Sequence, residues 1–323
     1  MTLLSLILPV YNDEKYVHST LNSIKRQSLN NSQYELIIVD DGSIDNTFKI
    51  CSEFLQKNKD INGYIYTQSN KGVSAARNMG IEKATSKYVA FVDGDDILDS
   101  SYLEQTVSLF EKNKNIDLVS CLLTHDKAKL GKRNNLSDTR DLCLDMYNCM
   151  LSNTSKFNGY VTNKIFNLDL IKRHQIKFKE GITCWEDMLF VEQYLKKCTG
   201  AVVIINKYYY YYRTNENSVT LTDNPTKSAK NIYSKAIVAF KISQMASKTS
   251  RLYSAGVHIY CNLLVDYRIL YCRNIITKDQ YLELFNFIKV NLEDALCHIT
   301  LKKKIKYYLA EFYHEGVKVY QKF

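Results

Sequence analysis

The stretch YVAFVDGDDIL, residues 88–98, concentrates charge at the end of an apolar run. Asp93, Asp95 and Asp96 crowd around Gly94 directly after Val92. Carboxylates this close raise each other's pKa unless a cation sits among them. An Asp-Gly-Asp at a strand tip can supply one: hard oxygen ligands suit Mg²⁺ or Mn²⁺, held by one or two carboxylates plus substrate phosphates. An acidic turn with a helix cap at Asp99 or Ser100 is the plainer alternative. Two further acidic pairs stand out, Asp40–Asp41 in IIVDDGS and Glu186–Asp187 in CWEDMLF. The second pair also suits the first turn of a helix, where the helix dipole favours negative charge. Arg77, in SAARN, offers a planar guanidinium matched to phosphate oxygens, or simply a surface ion pair.

The elements that must position these groups alternate through the first half. Strands are expected at 3–10, 34–40, 63–68, 87–93 and 116–123, and helices at 13–27, 43–57, 72–85 and 100–113. Near-continuous apolar strands are buried on both faces, as in a parallel sheet flanked by helices. The fold class is therefore a doubly wound, Rossmann-like α/β sheet, whose ligands bind beyond the carboxyl ends of the strands. That rule gathers Pro9–Asn12, Asp40–Ser43 and Asp93–Asp96 along one edge. Residues 124–140 lack periodicity and read as an exposed loop. Residues 141–200 read as mixed helices including 185–198, followed by short strands at 201–206 and 208–213. From Pro225 the pattern is helical. This divides the chain into residues 1–224, a catalytic α/β domain, and 225–323, a helical appendage for acceptor, membrane-surface or oligomer contacts.

Composition narrows the classes. Across 323 residues the chain is 46% hydrophobic and 24% charged, the profile of a globular protein. No run approaches the ~18 apolar residues of a membrane span, and the N-terminus lacks a basic segment before its apolar run. Nine cysteines without a CxxC pair point to reduced structural thiols in a cytoplasmic protein. The net charge of +9 has a basic, aromatic focus at 299–323, which suits an anionic membrane surface or a solvated helix face. No recognised motif supports nucleic-acid binding.

Four blocks together, SLILPVYNDEKYVHSTLNSIKRQS, IIVDDGSIDNT, NKGVSAARNMGIEKATSKYVAFVDGDD and WEDMLF, resemble the family 2 glycosyltransferases. The resemblance runs over about residues 3–220. It implies the GT-A fold and inverting transfer from a nucleotide sugar. It implies that Pro9 and Tyr11 pack on the uracil ring, and that Asp40 accepts the imide N–H, which cytosine lacks. Asp41 is assigned to the same nucleotide, with capping of the next turn as its alternative. By the same likeness Arg77 reaches the phosphates, Asp93 the ribose and the metal, and Asp95 the metal, Mn²⁺ or Mg²⁺. Asp187 would be the general base with Glu186 its neighbour. Arg213 and Ser218, in a Y-R-x-x-x-N-S-like run, would touch the diphosphate.

The reading is thus a metal-dependent, inverting hexosyltransferase that moves a hexose or N-acetylhexosamine from a UDP-sugar. Its acceptor would be a hydroxyl of a lipid-linked capsular or exopolysaccharide glycan. The expected location is cytoplasmic, peripheral to the inner membrane face, with homo-oligomer contacts available to the C-terminal helices. A teichoic acid or protein acceptor is the alternative within the class. An inactive nucleotide-sugar-binding protein is the alternative outside it. A nucleotidyltransferase is disfavoured, because LPVYNDEKY lacks the glycines of a phosphate loop.

Overall fold

The structure, a computed structural model, describes residues 2–142, 157–214, 225–247, 250–272 and 275–289. It divides into two compact units. The first comprises Met1–Tyr147, Lys156–Ile182 and Glu186–Asn215; the second comprises Asn148–Ser155, Thr183–Trp185 and Glu216–Phe323.

The first unit is built on one nine-stranded sheet. Strands β1 (Leu4–Val10) and β2 (Tyr34–Asp40) are buried along their whole length, as their apolar sequences require. They pair in parallel with each other, β2 with β3 (Asn62–Thr67), and β1 with β4 (Tyr88–Phe91). Strand β3, at the edge, alternates exposed and half-buried residues. Helices α1 (Val17–Lys25), α2 (Thr47–Lys57), α3 (Val73–Lys83) and α4 (Tyr102–Lys112) make the crossovers. At the opposite edge from the acidic strand tips, buried Glu35 ties three chain segments together. Its carboxylate accepts from Ser5 Oγ (2.6 Å), the Thr85 amide (2.8 Å) and Ser86 Oγ (3.1 Å).

Beyond β4 the sheet turns mixed. Strand β5 is the two-residue Ile97–Leu98, β6 spans Ile116–Thr124 and β7 spans Thr139–Leu142. Strand β8 (Lys164–Asn167) inserts antiparallel between β4 and β6, and β9 (Ala201–Tyr211) runs parallel to β6. Strand β9 is thus one element where two short strands were expected; a register shift between Cys121 and Leu122 of its partner accommodates the break in the pattern. The stretch 124–140 is mostly exposed, yet a bridge from Arg133 to Lys207 and the start of β7 attach it to the sheet. Strand β8 was hidden in the helical reading of 141–200, because four residues, KIFN, are too few to show a period. Short helix α5 (Leu168–Arg173) and helix α6 (Glu186–Leu195) complete this unit.

The second unit is helical where described: α7 (Pro225–Met245), α8 (Arg251–Cys272) and α9 (Lys278–Lys289). Its core joins Ala236, Ala239, Tyr253, Val257, Tyr260 and Leu264. Trp185 packs against this cluster, with Lys235 Nζ 5.5 Å from its ring centre. Among the described residues no helix is long and apolar enough to cross a membrane. The basic tail 299–323 lies outside the described residues.

Candidate active site

The ends of β1 and β2 are laced together. After Val10 the chain turns with Asn12 at φ 54°. The Asn12 amide donates to Ser43 Oγ (3.1 Å), and its Oδ1 accepts from the Ile44 amide (2.9 Å). Pro9 lies within β1, opposite Val39, and Tyr11 is left 44% exposed just beyond the sheet. Asp40 sits in register with Val10 and accepts long contacts from the Ser43 amide (3.3 Å at the nearer oxygen). Asp41 turns its carboxylate the other way. It accepts from Gln68 Nε2 (2.7 Å) and from the Lys71 and Gly72 amides (2.9 and 2.8 Å). It thereby fixes the loop that starts α3. Gly42 permits this approach: its φ is +76°, and a Cβ there would meet Asn70 N at 3.0 Å.

Helix α3 carries Arg77 into the interior, where only 4% of it is exposed. Its Nη2 donates to Asp93 Oδ1 (2.8 Å) and its Nη1 to Glu186 Oε1 (3.0 Å). Beneath it lies Phe178 (5.3 Å to the ring centre), stacked on Phe190 of α6 at 4.1 Å. The neighbouring Asn78 holds Phe178 by both backbone groups. Burial disfavours the Arg77 charge, yet Asp93, Glu186 and Asp187 together hold its pKa above the ordinary arginine value. Asp187, next in α6, accepts from the Met188 amide (2.8 Å). Burial first, then the Glu186 charge, push its carboxyl up to about 7, with Arg77 pulling the other way.

A second arginine braces the strand tip. Arg213 donates from Nε to the Asp95 carbonyl (2.7 Å), from Nη2 to Ser19 Oγ (3.1 Å) and from its amide to Asp96 Oδ1 (2.8 Å). The other Asp96 oxygen accepts from Tyr210 OH (2.6 Å), which in turn accepts from the Asp93 amide (3.2 Å). Asp96 is fully buried, and burial and the charges of Asp93 and Asp95 raise its pKa well above the carboxylate range. Asp96 thus clamps the turn. Ser218 falls outside the described residues.

Asp13 was not singled out in the sequence. It begins the turn into α1, a position where acids are ordinary helix formers, so only its sequence distance from PVYN hinted at a role. Its Oδ2 accepts from the Tyr11 amide (3.0 Å) and lies 2.3 Å from where a Cβ on Gly94 would stand. Any side chain at 94 would crowd that carboxylate. Burial, and then the charges of Asp95 and Asp93, push the Asp13 carboxyl up to about 7. Crowding of carboxyls of this kind favours a cation among them. This set fits a hard divalent ion. Among the described residues no three ligating side chains converge into a ready-made cage, so the ion would depend on phosphate oxygens for the rest of its shell.

The sequence pattern of the family described as "Glycosyl transferase family 2" matches residues 5–173. The "Uncharacterized glycosyltransferase EpsJ" of Bacillus subtilis is 31% identical over 224 residues, 68% of this chain and 63% of that protein. The "Minor teichoic acid biosynthesis protein GgaB" of the same organism is 35% identical over 132 residues, 40% of this chain and 14% of that one. The chain thus spans less than two thirds of either relative. Among solved structures, S. aureus TarS 1-349 in complex with UDP-GlcNAc superposes with a TM-score of 0.65 at 20% identity. That match covers 98% of this chain and 92% of the other. It shows the same GT-A architecture, an α/β sheet domain with a helical C-terminal part, as expected from the sequence.

Proposed function

Because the chain belongs to glycosyl transferase family 2, we propose that it is an inverting enzyme that moves a hexose or N-acetylhexosamine from a UDP-sugar to a glycan hydroxyl. The observation that carries this reading is the ion triad of Asp93, Arg77 and Glu186. It ties the acidic strand tip to the residue beside Asp187, which supports a donor site and a base held next to each other.

In the reaction the acceptor hydroxyl attacks the anomeric carbon and gives its proton to the Asp187 carboxylate. The bond from that carbon to the diphosphate breaks, and its electron pair leaves with UDP. A single displacement with one base inverts the centre, as in the base half of an inverting glycosidase. A pKa near 7 suits a base at neutral pH. Asp93 and Asp95 would hold Mn²⁺ or Mg²⁺, which supplies neutralisation of the leaving diphosphate. Tyr11, Pro9 and Asp40 line the end of β1 and β2 as the nucleoside side. Arg213 braces the turn from the side of β9. In this reading Asp41 and Asp96 serve the donor by shaping its loops.

We assign residues 1–224 to catalysis and 225–323 to acceptor, membrane-surface or oligomer contacts. The enzyme would work at the cytoplasmic face of a membrane on a lipid-linked capsular or exopolysaccharide acceptor. A teichoic acid acceptor is the second reading, favoured by the likeness to GgaB. The test is UDP release from a panel of UDP-sugars, with and without Mn²⁺ and acceptor. Asp187→Asn should keep UDP binding and lose transfer by a factor of at least ~10². Retained turnover would remove Asp187 as base.

A further inference from the structure

Three rings meet at the margin of this site, and the reaction above leaves them without a task. Tyr160 is 45% exposed, Tyr212 is half-buried just after β9, and His125 is exposed just after β6. Tyr160 and Tyr212 lie 6.2 Å apart at 32°. His125 meets Tyr212 edge-on at 5.1 Å, with its Nδ1 3.3 Å from Thr214 Oγ1.

The turn that carries Tyr160 is built at unusual cost. Lys164 is fully buried beneath it. Its three ammonium protons go to the Tyr160 carbonyl (2.7 Å), Asn163 Oδ1 (3.0 Å) and Asn158 Oδ1 (3.1 Å), and Nζ sits 4.5 Å from the centre of the Phe157 ring. Burying an ammonium is expensive, and burial pulls the Lys164 pKa down to about 7; its three hydrogen bonds hold the shape of an exposed turn. The same turn abuts the base. A Cβ on Gly159 would come within 2.8 Å of Met188 Cβ, so Tyr160 and Asp187 each stand one residue from a shared contact. On its other side Tyr212 lies between Tyr210 and Arg213 in the chain, both of which bond Asp96 at the strand tip.

We propose that Tyr160, backed by Tyr212, is the acceptor subsite, and that it stacks on the C–H face of the sugar ring whose hydroxyl Asp187 deprotonates. This rests on the transferase reading and selects among its acceptors. A pyranose presents a flat apolar face to an aromatic ring, with its hydroxyls at the rim for polar partners. An acyclic polyol phosphate has no such face. The Lys164 protons are spent on the turn and offer a phosphate nothing. The occupant is therefore a terminal pyranose.

Saturation-transfer NMR tests this on the full chain. The probes are the methyl pyranosides of glucose, galactose and N-acetylglucosamine, and a glycerol phosphate trimer. The wild type should saturate the ring C–H protons of at least one pyranoside. Tyr160→Ala should weaken that binding about tenfold, and Tyr160→Phe and Tyr160→Trp should preserve it. Saturation of no pyranoside, equal binding by Tyr160→Ala, or saturation of the trimer in place of the pyranosides overturns the proposal. UDP release from UDP-sugars by the wild type is read separately. Its absence would sink the transferase reading, while pyranoside binding still decides the role of Tyr160.

Discussion

Replacing Arg77 by methionine keeps the length of the side chain and removes its charge. In the native state that charge is 4% exposed and shared by two carboxylates at 2.8 and 3.0 Å. Asp93 keeps 29% of its side chain exposed and Glu186 13%, so neither can be fully rehydrated in place. At an effective dielectric near 20, one such pair is worth roughly 4 kcal/mol, and breaking a buried pair costs about 3–5 kcal/mol. Arg77→Met should therefore lower stability by ~3–5 kcal/mol, or roughly 6–20 °C in Tm for a unit of this size. Asp187 would also lose the charge that does most to lower its pKa, so the rise of transfer with pH should move to higher pH. Urea unfolding followed by far-UV circular dichroism reads the first effect, and initial rates across pH read the second. The double variant Arg77→Met with Glu186→Gln should regain part of the stability, because one stranded charge is gone. Lysine at 77 should fall between, since a point charge cannot serve both partners in the fork geometry. A loss under about 1 kcal/mol with an unmoved pH profile would refute the triad as the link between strand tip and base.

Asp187 itself couples stability to pH. Its folded pKa of about 7 lies above the ordinary 3.8. Its contribution to stability is therefore full below ~4 and is lost as pH rises to about 7. Between pH 5 and 8 transfer should rise while the stability of the wild type falls relative to Asp187→Asn, and an ascending limb near pH 4 would contradict the assignment. Asp95→Ala should weaken UDP binding in Mn²⁺ and abolish the difference that Mn²⁺ makes, measured by calorimetry; an unchanged metal response would clear Asp95. Asp41→Asn should cost about 1–3 kcal/mol of stability through its lost backbone contacts and leave the Mn²⁺ response of UDP binding in place. Loss of that response in a stably folded Asp41→Asn protein would move Asp41 to the nucleotide.

The parallel half of the fold was legible because β1, β2 and β4 bury both faces, and long apolar runs announce that. The strand-end rule then brought the acidic groups to one edge before any coordinates. What stayed hidden depended on distant partners. The sequence of Asp41 does not tell that its acceptors face the loop before α3, nor that of Asp96 that Tyr210 and Arg213 await it. Arg77 was read for phosphate, and its two carboxylate partners lie 16 and 109 residues away. Lys164 sits in a strand too short to show a period, so its burial left no signal.

Asp41 and Asp96 also bear on how lineages of such proteins decay. Both are required by backbone amides whether or not any sugar is ever moved. A descendant that abandoned chemistry could shed Asp187 at little cost to folding, yet selection for a folded chain would keep the second aspartate of each doublet. Intact DD pairs in a degenerate homologue would then testify to a surviving scaffold, and only the residue at 187 would speak for turnover.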